Sequence, residues 1–544
     1  MSDFDAVDPE LLDLGLPELF RRAARRWPDR VAAAFPGERV SYGQLAEQAL
    51  AVGERLVRAG VVPGDHVGLL IPNSGRLLAT LLGISLCGAV PVPLNTRFRT
   101  DELPYVVEHA DLVGLVTAGE PEVNPKGEPV DYPARLAEAL PSLGRDPGTF
   151  CAEAPLLRFV AGYGPARHPW ITPWPEPSGS TPPGPADPAW LVPSEPAGTA
   201  LLLYTSGTTS RPKGVHTAHR ALVVTGVVAM AGRMGVTAED VIWSPMPLCH
   251  IGAYVALIGA VATGGRFVSA PYFHADTAVD LLDTERATVA YGGFPAFYFD
   301  LAAALRRTGR TLPHLRVLTT AAAPAEIERV RAGFPHALQV SVTGSTELSG
   351  MICVNHATDT AEQRATTAGR PLDGIEVSIR SEQGAPVGPG ETGEIWVRGY
   401  CLLSRYHKDP APVVTGDPDP GWYRTGDLGA LVDGRLSFRG RLKDMIKVGG
   451  ENVAAAEVES FLLRHPAVAL VQVVAGPDAR LGEVPVAFVE AAPGHAVTEA
   501  EILDFCRGSM AAYKVPRAVR FVTEWPMSAT KISKPALQAL LAVG

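Results

Sequence analysis

The string Leu203-Tyr-Thr-Ser-Gly-Thr-Thr-Ser-Arg-Pro-Lys-Gly214 gathers hydroxyls, glycines and an ammonium in one short segment. It follows an apolar, strand-like run and precedes a helix predicted to begin near His219. Gly207 lets backbone N–H groups approach an anion; Thr205, Ser206, Thr208 and Thr209 add donors, and Lys213 adds charge. That is chemistry suited to phosphate. The spacing is not that of a Walker A loop, which needs Gly-Lys-Ser/Thr in tandem. Just after it, His216-Thr-Ala-His219 has the spacing of a metal pair, but no acidic or cysteine third ligand lies nearby, and a helix start explains it better. His250 is open to three readings: a general base, a pocket wall, or a packed histidine without a chemical role.

Other strings follow in order. Pro247-Leu-Cys-His-Ile-Gly252, Ala321-Ala-Ala-Pro324, Thr343-Gly-Ser-Thr-Glu347, Tyr423-Arg-Thr-Gly-Asp427, Gly440-Arg-Leu-Lys-Asp-Met-Ile-Lys-Val-Gly-Gly-Glu-Asn452 and Lys531-Ile-Ser-Lys534 each concentrate polar groups beside glycine or proline. Basic residues are mostly arginine, and only eight are lysine. These motifs absorb five of the eight, as expected where a compact ammonium is needed.

Together the strings resemble the adenylate-forming superfamily of acyl-CoA synthetases, peptide-synthetase adenylation domains and beetle luciferases. The resemblance runs from Ser41 to Lys534. It implies that Thr205, Ser206, Gly207, Thr208, Thr209 and Lys213 hold the β- and γ-phosphates of ATP, that Thr346 touches the α-phosphate, and that Glu347 holds Mg2+. Ala322, Ala323, Pro324, Thr343 and Gly344 would border the nucleotide. Asp427 would accept both ribose hydroxyls, with Arg441 in support, and Lys531 would bridge the attacking carboxylate and the α-phosphate. Lys443 falls at the family's hinge, about which a small C-terminal domain swings between two half-reactions. Gly449, Gly450, Glu451 and Asn452 would line the pantetheine tunnel of coenzyme A, two glycines suiting close approach to a thin chain. His250, Phe294, Tyr298, Ala321, Gly344 and Met351 are expected at the acyl pocket. Their mix of small and aromatic residues suits a bulky apolar or aromatic acid.

The activity this implies is an acyl-CoA synthetase, turning a carboxylic acid, ATP and CoA into acyl-CoA, AMP and pyrophosphate. The amino-acid-activating branch is disfavoured, because its Phe-Asp motif is absent where Pro247–Gly252 stands. Loading of a carrier-protein phosphopantetheine stays open, since the same tunnel would serve it. So does a non-catalytic nucleotide- or acyl-binding protein. Three departures touch the nucleotide step: Thr343 replaces the aromatic that stacks on adenine, the glycine usual before Lys531 is missing, and Ala321-Ala322 replace glycines. They leave room for an enzyme weak in adenylation that mainly thioesterifies a preformed acyl-adenylate.

The elements that must position these groups read as α/β. Ser41-Tyr42 opens a helix with Leu45, Ala49, Val52 and Leu56 on one face. Residues 66–71 read as a buried strand, and the uncharged run 77–94 as a buried helix followed by a short strand, not a membrane span. Residues 163–198 are proline-rich and are expected to be a surface connection. Residues 369–438 suggest a small β-subdomain. The last hundred alternate helix and strand: helices over 457–463 and 499–510, strands over 468–474, 486–490 and 519–522. The expected plan is a multi-layer N-terminal domain over 1–440 and a mobile C-terminal α+β domain over 441–544.

Length and charge agree. At about 150 residues per unit, 544 residues allow several domain-sized bodies. A net charge of −10 argues against a nucleic-acid partner. Six scattered cysteines without a C-x-x-C pair exclude zinc ribbons and a disulfide framework. The acidic N-terminus lacks a signal-peptide pattern, so a cytoplasmic location is expected.

Overall fold

Ser41 caps the helix Tyr42–Arg58: its hydroxyl accepts from Gln44 N, and the Gln44 amide oxygen accepts from Ser41 N. Two orphan donors are thereby satisfied. The helix buries Leu45, Ala49, Val52 and Leu56 and packs on the helix Gly75–Leu86. A Cβ at Gly83 would lie 2.7 Å from Val52 Cβ, so the crossing requires glycine there. The uncharged run is thus a buried helix followed by the strand Val90–Pro93. Among the described residues, no helix is long and apolar enough to cross a membrane.

The computed structural model describes residues 2–124, 127–145, 150–165, 168–176, 188–205, 211–416, 419–448, 451–478, 480–507, 509–528 and 531–542. Among them, one parallel sheet runs Val90–Pro93, His66–Leu70, Leu112–Ala118, Phe159–Tyr163, Ile171–Trp174. A larger sheet has a parallel centre, formed by Leu338–Thr343, Val317–Thr320, Val289–Gly293, Val241–Trp243, Arg266–Val268 and Val31–Phe35, with antiparallel strands at both ends. Buried strands on a parallel sheet need helices on both faces. One continuous apolar core joins the two sheets through their helices.

The proline-rich connection is only partly irregular. Ile171–Trp174 is a strand despite Pro173, at the sheet edge, where a missing N–H costs no ladder bond. The β-subdomain is an antiparallel sheet of Ile375–Arg380, Gly393–Gly399, Tyr423–Val432 and Arg435–Arg441. Past the turn Leu442–Asp444, a second core forms around Met445–Val448, Glu451–Ala454, Val468–Asp478, Gly482–Ala491 and Ala518–Phe521, with helices Ala455–Leu462 and Glu499–Arg507. The strand pair Met527–Ser528 and Lys531–Ile532 and the helix Lys534–Ala542 are elements the sequence pattern did not announce.

A further antiparallel sheet joins Thr199–Thr205, Lys213–Ala218 and Arg405–Tyr406. Behind it four histidines converge. His216 Nε2 and His407 Nδ1 share a hydrogen bond of 2.9 Å, and His216 Nδ1 meets Thr199 Oγ1 at 3.1 Å. The ring centroids of His66 and His109 lie 5.3 and 5.4 Å from that of His407. His66 Nδ1 faces the Ala110 carbonyl, and His109 Nδ1 the Tyr204 hydroxyl. Asp111 Oδ2 stands 3.4 Å from His407 Nε2, off the hydrogen-bond line, while Asp111 Oδ1 takes Lys408 Nζ at 2.8 Å. Burial is the main cause that lowers the pKa of His216 to about 3 and of His407 to about 4, helped by Arg405 at the first and by His66 and His109 at the second.

These imidazoles are neutral when folded and take up protons near pH 6.5 when unfolded. The unfolded state binds more protons below that pH, so stability is full above 6.5 and falls as pH drops from 6.5 toward 4. Between pH 7 and 5 the loss is expected to be roughly 2–4 kcal/mol. Denaturant unfolding at pH 7.5, 6 and 5 measures it. His407→Leu should flatten the slope in that window, and an unchanged slope would rule out this cluster as its source.

Candidate active site

Thr205 and Lys213 are cross-strand partners at the mouth of the hairpin formed by Thr199–Thr205 and Lys213–Ala218. Ser206, Gly207, Thr208 and Thr209 lie outside the described residues. The segment 401–407 is laid across this hairpin and bonded on both sides. Ser404 N donates to His216 O and His407 N to Gly214 O, each at 2.8 Å, while Leu403 N donates to Glu347 O at 2.8 Å. A Cβ at Gly214 would sit 3.0 Å from His407 Cβ, so the close crossing depends on glycine at 214.

Glu347 lies in the turn Thr346–Leu348. Ser349 follows at φ +52°, held by its hydroxyl on the Cys401 carbonyl at 2.8 Å, and Gly350 at φ +105°. This returns the chain so that Ile352 N donates to Thr343 O at 2.9 Å. Tyr406 Oη reaches Glu347 Oε1 at 3.4 Å and Tyr423 Oη at 3.0 Å, and Lys213 Nζ lies 5.1 Å from the Tyr406 ring centroid. Burial first, and then the Glu347 charge, push the Tyr406 phenol up to about 12. Lys213, Glu347 and two phenols therefore form one cluster. Tyr406 was missed in the sequence because nothing in Arg405-Tyr-His-Lys408 marks it. Tyr423 was in view, as the first residue of a motif valued for its aspartate.

Asp427 and Arg441 are also brought together. They are register partners in the β-subdomain, and Arg441 Nε lies 3.1 Å from Asp427 Oδ1. The bend before Asp427 rests on Glu394, which holds Arg424, the Trp396 indole N–H and Gly426 N, the last at φ +69°.

Ala321–Ala323 leave the end of the strand Val317–Thr320 and lead into the helix Pro324–Gly333, where Glu326 accepts from Ala323 N at 3.0 Å. Ala321 N donates to Gly293 O at 2.6 Å, which sets Ala321 beside Phe294. His250 starts the helix Ile251–Thr263, and a Cβ at Gly350 would lie 2.6 Å from Val255 Cγ2 on that helix. The half-buried face thus carries His250, Phe294 and Gly350. Tyr298 and Met351 are instead fully buried in the core. The Tyr298 hydroxyl is held by Gly292 N and the carbonyls of Ala290 and Thr319, so its placement braces the strand ends rather than lining a pocket. His216 and His219 part company: His219 Nδ1 accepts from Leu16 N at 3.2 Å, away from the pair made by His216 and His407.

In the C-terminal domain, Lys443 is exposed on the turn Leu442–Asp444. Gly449 and Gly450 lie outside the described residues. Glu451 and Asn452 open the strand Glu451–Ala454, and Lys531 the strand Lys531–Ile532. Lys534 bridges Glu459 at 2.7 Å and Asp444 at 3.8 Å.

The tightest constraint in the cluster is at Gly344. A Cβ there would meet Gly350 O at 2.2 Å and Met351 Cα at 2.7 Å, all backbone. Gly344→Ala is expected to cost roughly 1–3 kcal/mol, read from urea midpoints. Gly416→Ala, with nothing within 4 Å of its Cβ, should leave the midpoint in place. Equal midpoints for the two variants would contradict the packing argument.

The family model described as AMP-binding enzyme matches residues 20–407, and the AMP-binding enzyme C-terminal domain matches 457–531. The 3-[(3aS,4S,7aS)-7a-methyl-1,5-dioxo-octahydro-1H-inden-4-yl]propanoyl:CoA ligase of Mycobacterium tuberculosis is 32% identical, over 96% of this chain and 98% of that protein. The 2-succinylbenzoate–CoA ligase of Bacillus cereus is 31% identical, over 95% and 96%. The structure of o-succinylbenzoate CoA synthetase from Bacillus subtilis, in complex with its acyl-adenylate intermediate, superposes with a TM-score of 0.77 at 25% identity, over 96% of this chain and 97% of that one. The chain therefore belongs to the AMP-binding enzymes, in the acyl-CoA synthetase branch of the adenylate-forming superfamily.

Proposed function

We propose that the protein activates a carboxylic acid with ATP as an acyl-adenylate and passes the acyl group to the thiol of coenzyme A, releasing AMP and pyrophosphate. The observation that carries this reading is the full-length match to CoA ligases, C-terminal domain included. A bulky apolar or aromatic acid is favoured, because both relatives act on ring-bearing acids.

The chemistry joins two anions, so the site must neutralise charge that grows in the transition state. Lys213 and the hydroxyl loop opened by Thr205 would hold the outer phosphates, with Thr346 at the α-phosphate. Asp427 would accept the ribose hydroxyls, with Arg441 fixing the carboxylate's orientation. Among the described residues, no group of three or more His, Cys, Asp or Glu is disposed to hold a metal. A single carboxylate such as Glu347 suits Mg2+, which keeps waters and takes substrate phosphates as further ligands. Bound there, Mg2+ would neutralise the phosphate oxygens and orient them. Lys531 would supply the cation between the attacking carboxylate and the α-phosphorus. After the C-terminal domain turns at Lys443, Gly449–Asn452 would take its place and guide pantetheine.

A second reading is favoured by Thr343, a half-buried threonine at the end of its strand, where the family has a stacking ring. Loss of that face costs about 1–3 kcal/mol by analogy with base stacking. An enzyme so weakened would chiefly thioesterify an acyl-adenylate made elsewhere.

One experiment separates the readings. Aryl and cyclic alkyl acids are screened for acid-dependent pyrophosphate exchange, and in parallel a synthetic acyl-adenylate is offered to CoA or to a carrier protein. The first reading expects exchange together with CoA thioester. Lys531→Ala should then lower exchange about 10²–10³-fold and leave thioester formation from the synthetic adenylate intact. Fast thioester formation without exchange for any acid would favour the second reading, and neither activity would reject both.

A further inference from the structure

Tyr406 stands where three segments meet. Its backbone pairs with Val215, two residues beyond Lys213. Its ring lies under the Lys213 ammonium, at 5.1 Å, within the range where a cation is drawn to an aromatic face. Its hydroxyl contacts both Glu347 Oε1 and Tyr423 Oη. The direction of these bonds follows from proton counting. An ionised carboxylate can only accept, so Tyr406 spends its single proton on Glu347. Tyr423 must then be the donor in the phenol–phenol bond. The chain runs Tyr423 to Tyr406 to Glu347 and points its donors at one carboxylate oxygen.

We propose that Tyr406 is a positioning residue that holds the Glu347 carboxylate toward an incoming Mg2+ and restrains the Lys213 ammonium beside it. The proposal rests on the reading of Glu347 and Lys213 as nucleotide-handling groups. A carboxylate on a free χ3 torsion sweeps through many orientations. A phenol on Oε1 removes that freedom, and residues that orient a metal ligand commonly set affinity by 10–100-fold. The ring and the hydroxyl do separable jobs, which the two simplest variants distinguish.

Tyr406→Phe keeps the ring under Lys213 and removes the donor to Glu347. Calorimetric titration should show ATP binding in the presence of Mg2+ weakened about 10-fold and the half-saturating Mg2+ concentration raised by a similar factor. ATP binding in EDTA should be unchanged. Tyr406→Leu removes the ring as well and should weaken ATP binding both with and without Mg2+. Tyr423→Phe leaves the Tyr406 donor in place but removes its support, and should fall between wild type and Tyr406→Phe. Far-UV circular dichroism and the urea midpoint report that each variant is folded.

Wild-type Mg2+ dependence in Tyr406→Phe would overturn the proposal. So would an equal loss with Mg2+ and with EDTA, the sign of a merely structural role. If Tyr406→Phe does not fold, Tyr423→Phe decides alone, and wild-type Mg2+ dependence there overturns the proposal. Wild-type protein that binds no ATP under either condition would remove the nucleotide reading itself, and this inference with it.

Discussion

The spacing of the cluster around Lys213, Glu347 and Tyr406 depends on one crossing, that of residues 401–407 over the strand Lys213–Ala218. Backbone bonds tie this segment to Gly214 and His216 on one side and to Glu347 on the other. Lys213 and Glu347 are 134 positions apart in the chain, on segments that share no sheet pairing. The crossing is what brings an ammonium and a carboxylate to one aromatic ring. Backbone bonds suit that task, because they fix separation whatever the side chains do, and a charged site needs its groups set before the substrate arrives. The glycine at 214 is the steric condition for it.

The same strands face two ways. Alternation along Lys213–Ala218 and Arg405–Tyr406 puts Tyr406 on the site side and sends the His407 ring to the opposite side, against His216. Behind the site therefore lies a buried polar layer, not an apolar one. There His216 and His407 satisfy each other, and His216 the Thr199 hydroxyl, without carrying charge. Neutral imidazoles are cheap to bury while deprotonated and costly once charged. Acid thus attacks the sheet that spaces this cluster.

Much of this was legible in the residues. Ser41 announced the cap of its helix, and apolar spacing announced the face that helix buries. The family resemblance set Asp427 and Arg441 together at a ribose, and strand register makes the two neighbours. What could not be read was contact made by returning chain. Tyr406 has no local pattern, because its meaning comes from pairing with Val215 and from a turn at Glu347. The histidine layer is scattered over positions 66, 109, 216 and 407 and has no spacing to detect. Tyr298 and Met351 were expected at a pocket from their residue types, yet type does not say which side of a strand end a ring takes. Tyr298 turns inward because three backbone groups there need its hydroxyl. Pro173 misled in the other direction: an edge strand tolerates proline that a central strand would not.

The C-terminal domain adds a constraint of a different kind. Lys534 carries its ammonium to Glu459 on the helix Ala455–Leu462 and to Asp444 in the turn that leads out of the β-subdomain. It lies three residues beyond Lys531, at the start of the helix that packs Leu537 into this domain. Among the described residues, the backbone at Lys531 pairs with Ser528. The segment that bears Lys531 is thus tied to its own domain's core and to the turn beside Lys443. Across the junction, Arg329 donates to the Ala469 carbonyl at 2.7 Å and Ala325 packs on the C-terminal core. Both contacts come from the helix Pro324–Gly333. The strand Lys531–Ile532 is therefore joined, through the helix that follows it, to the C-terminal core and to the turn Leu442–Asp444. Under the turn proposed at Lys443, the backbone that bears Lys531 would be carried with this core as one piece.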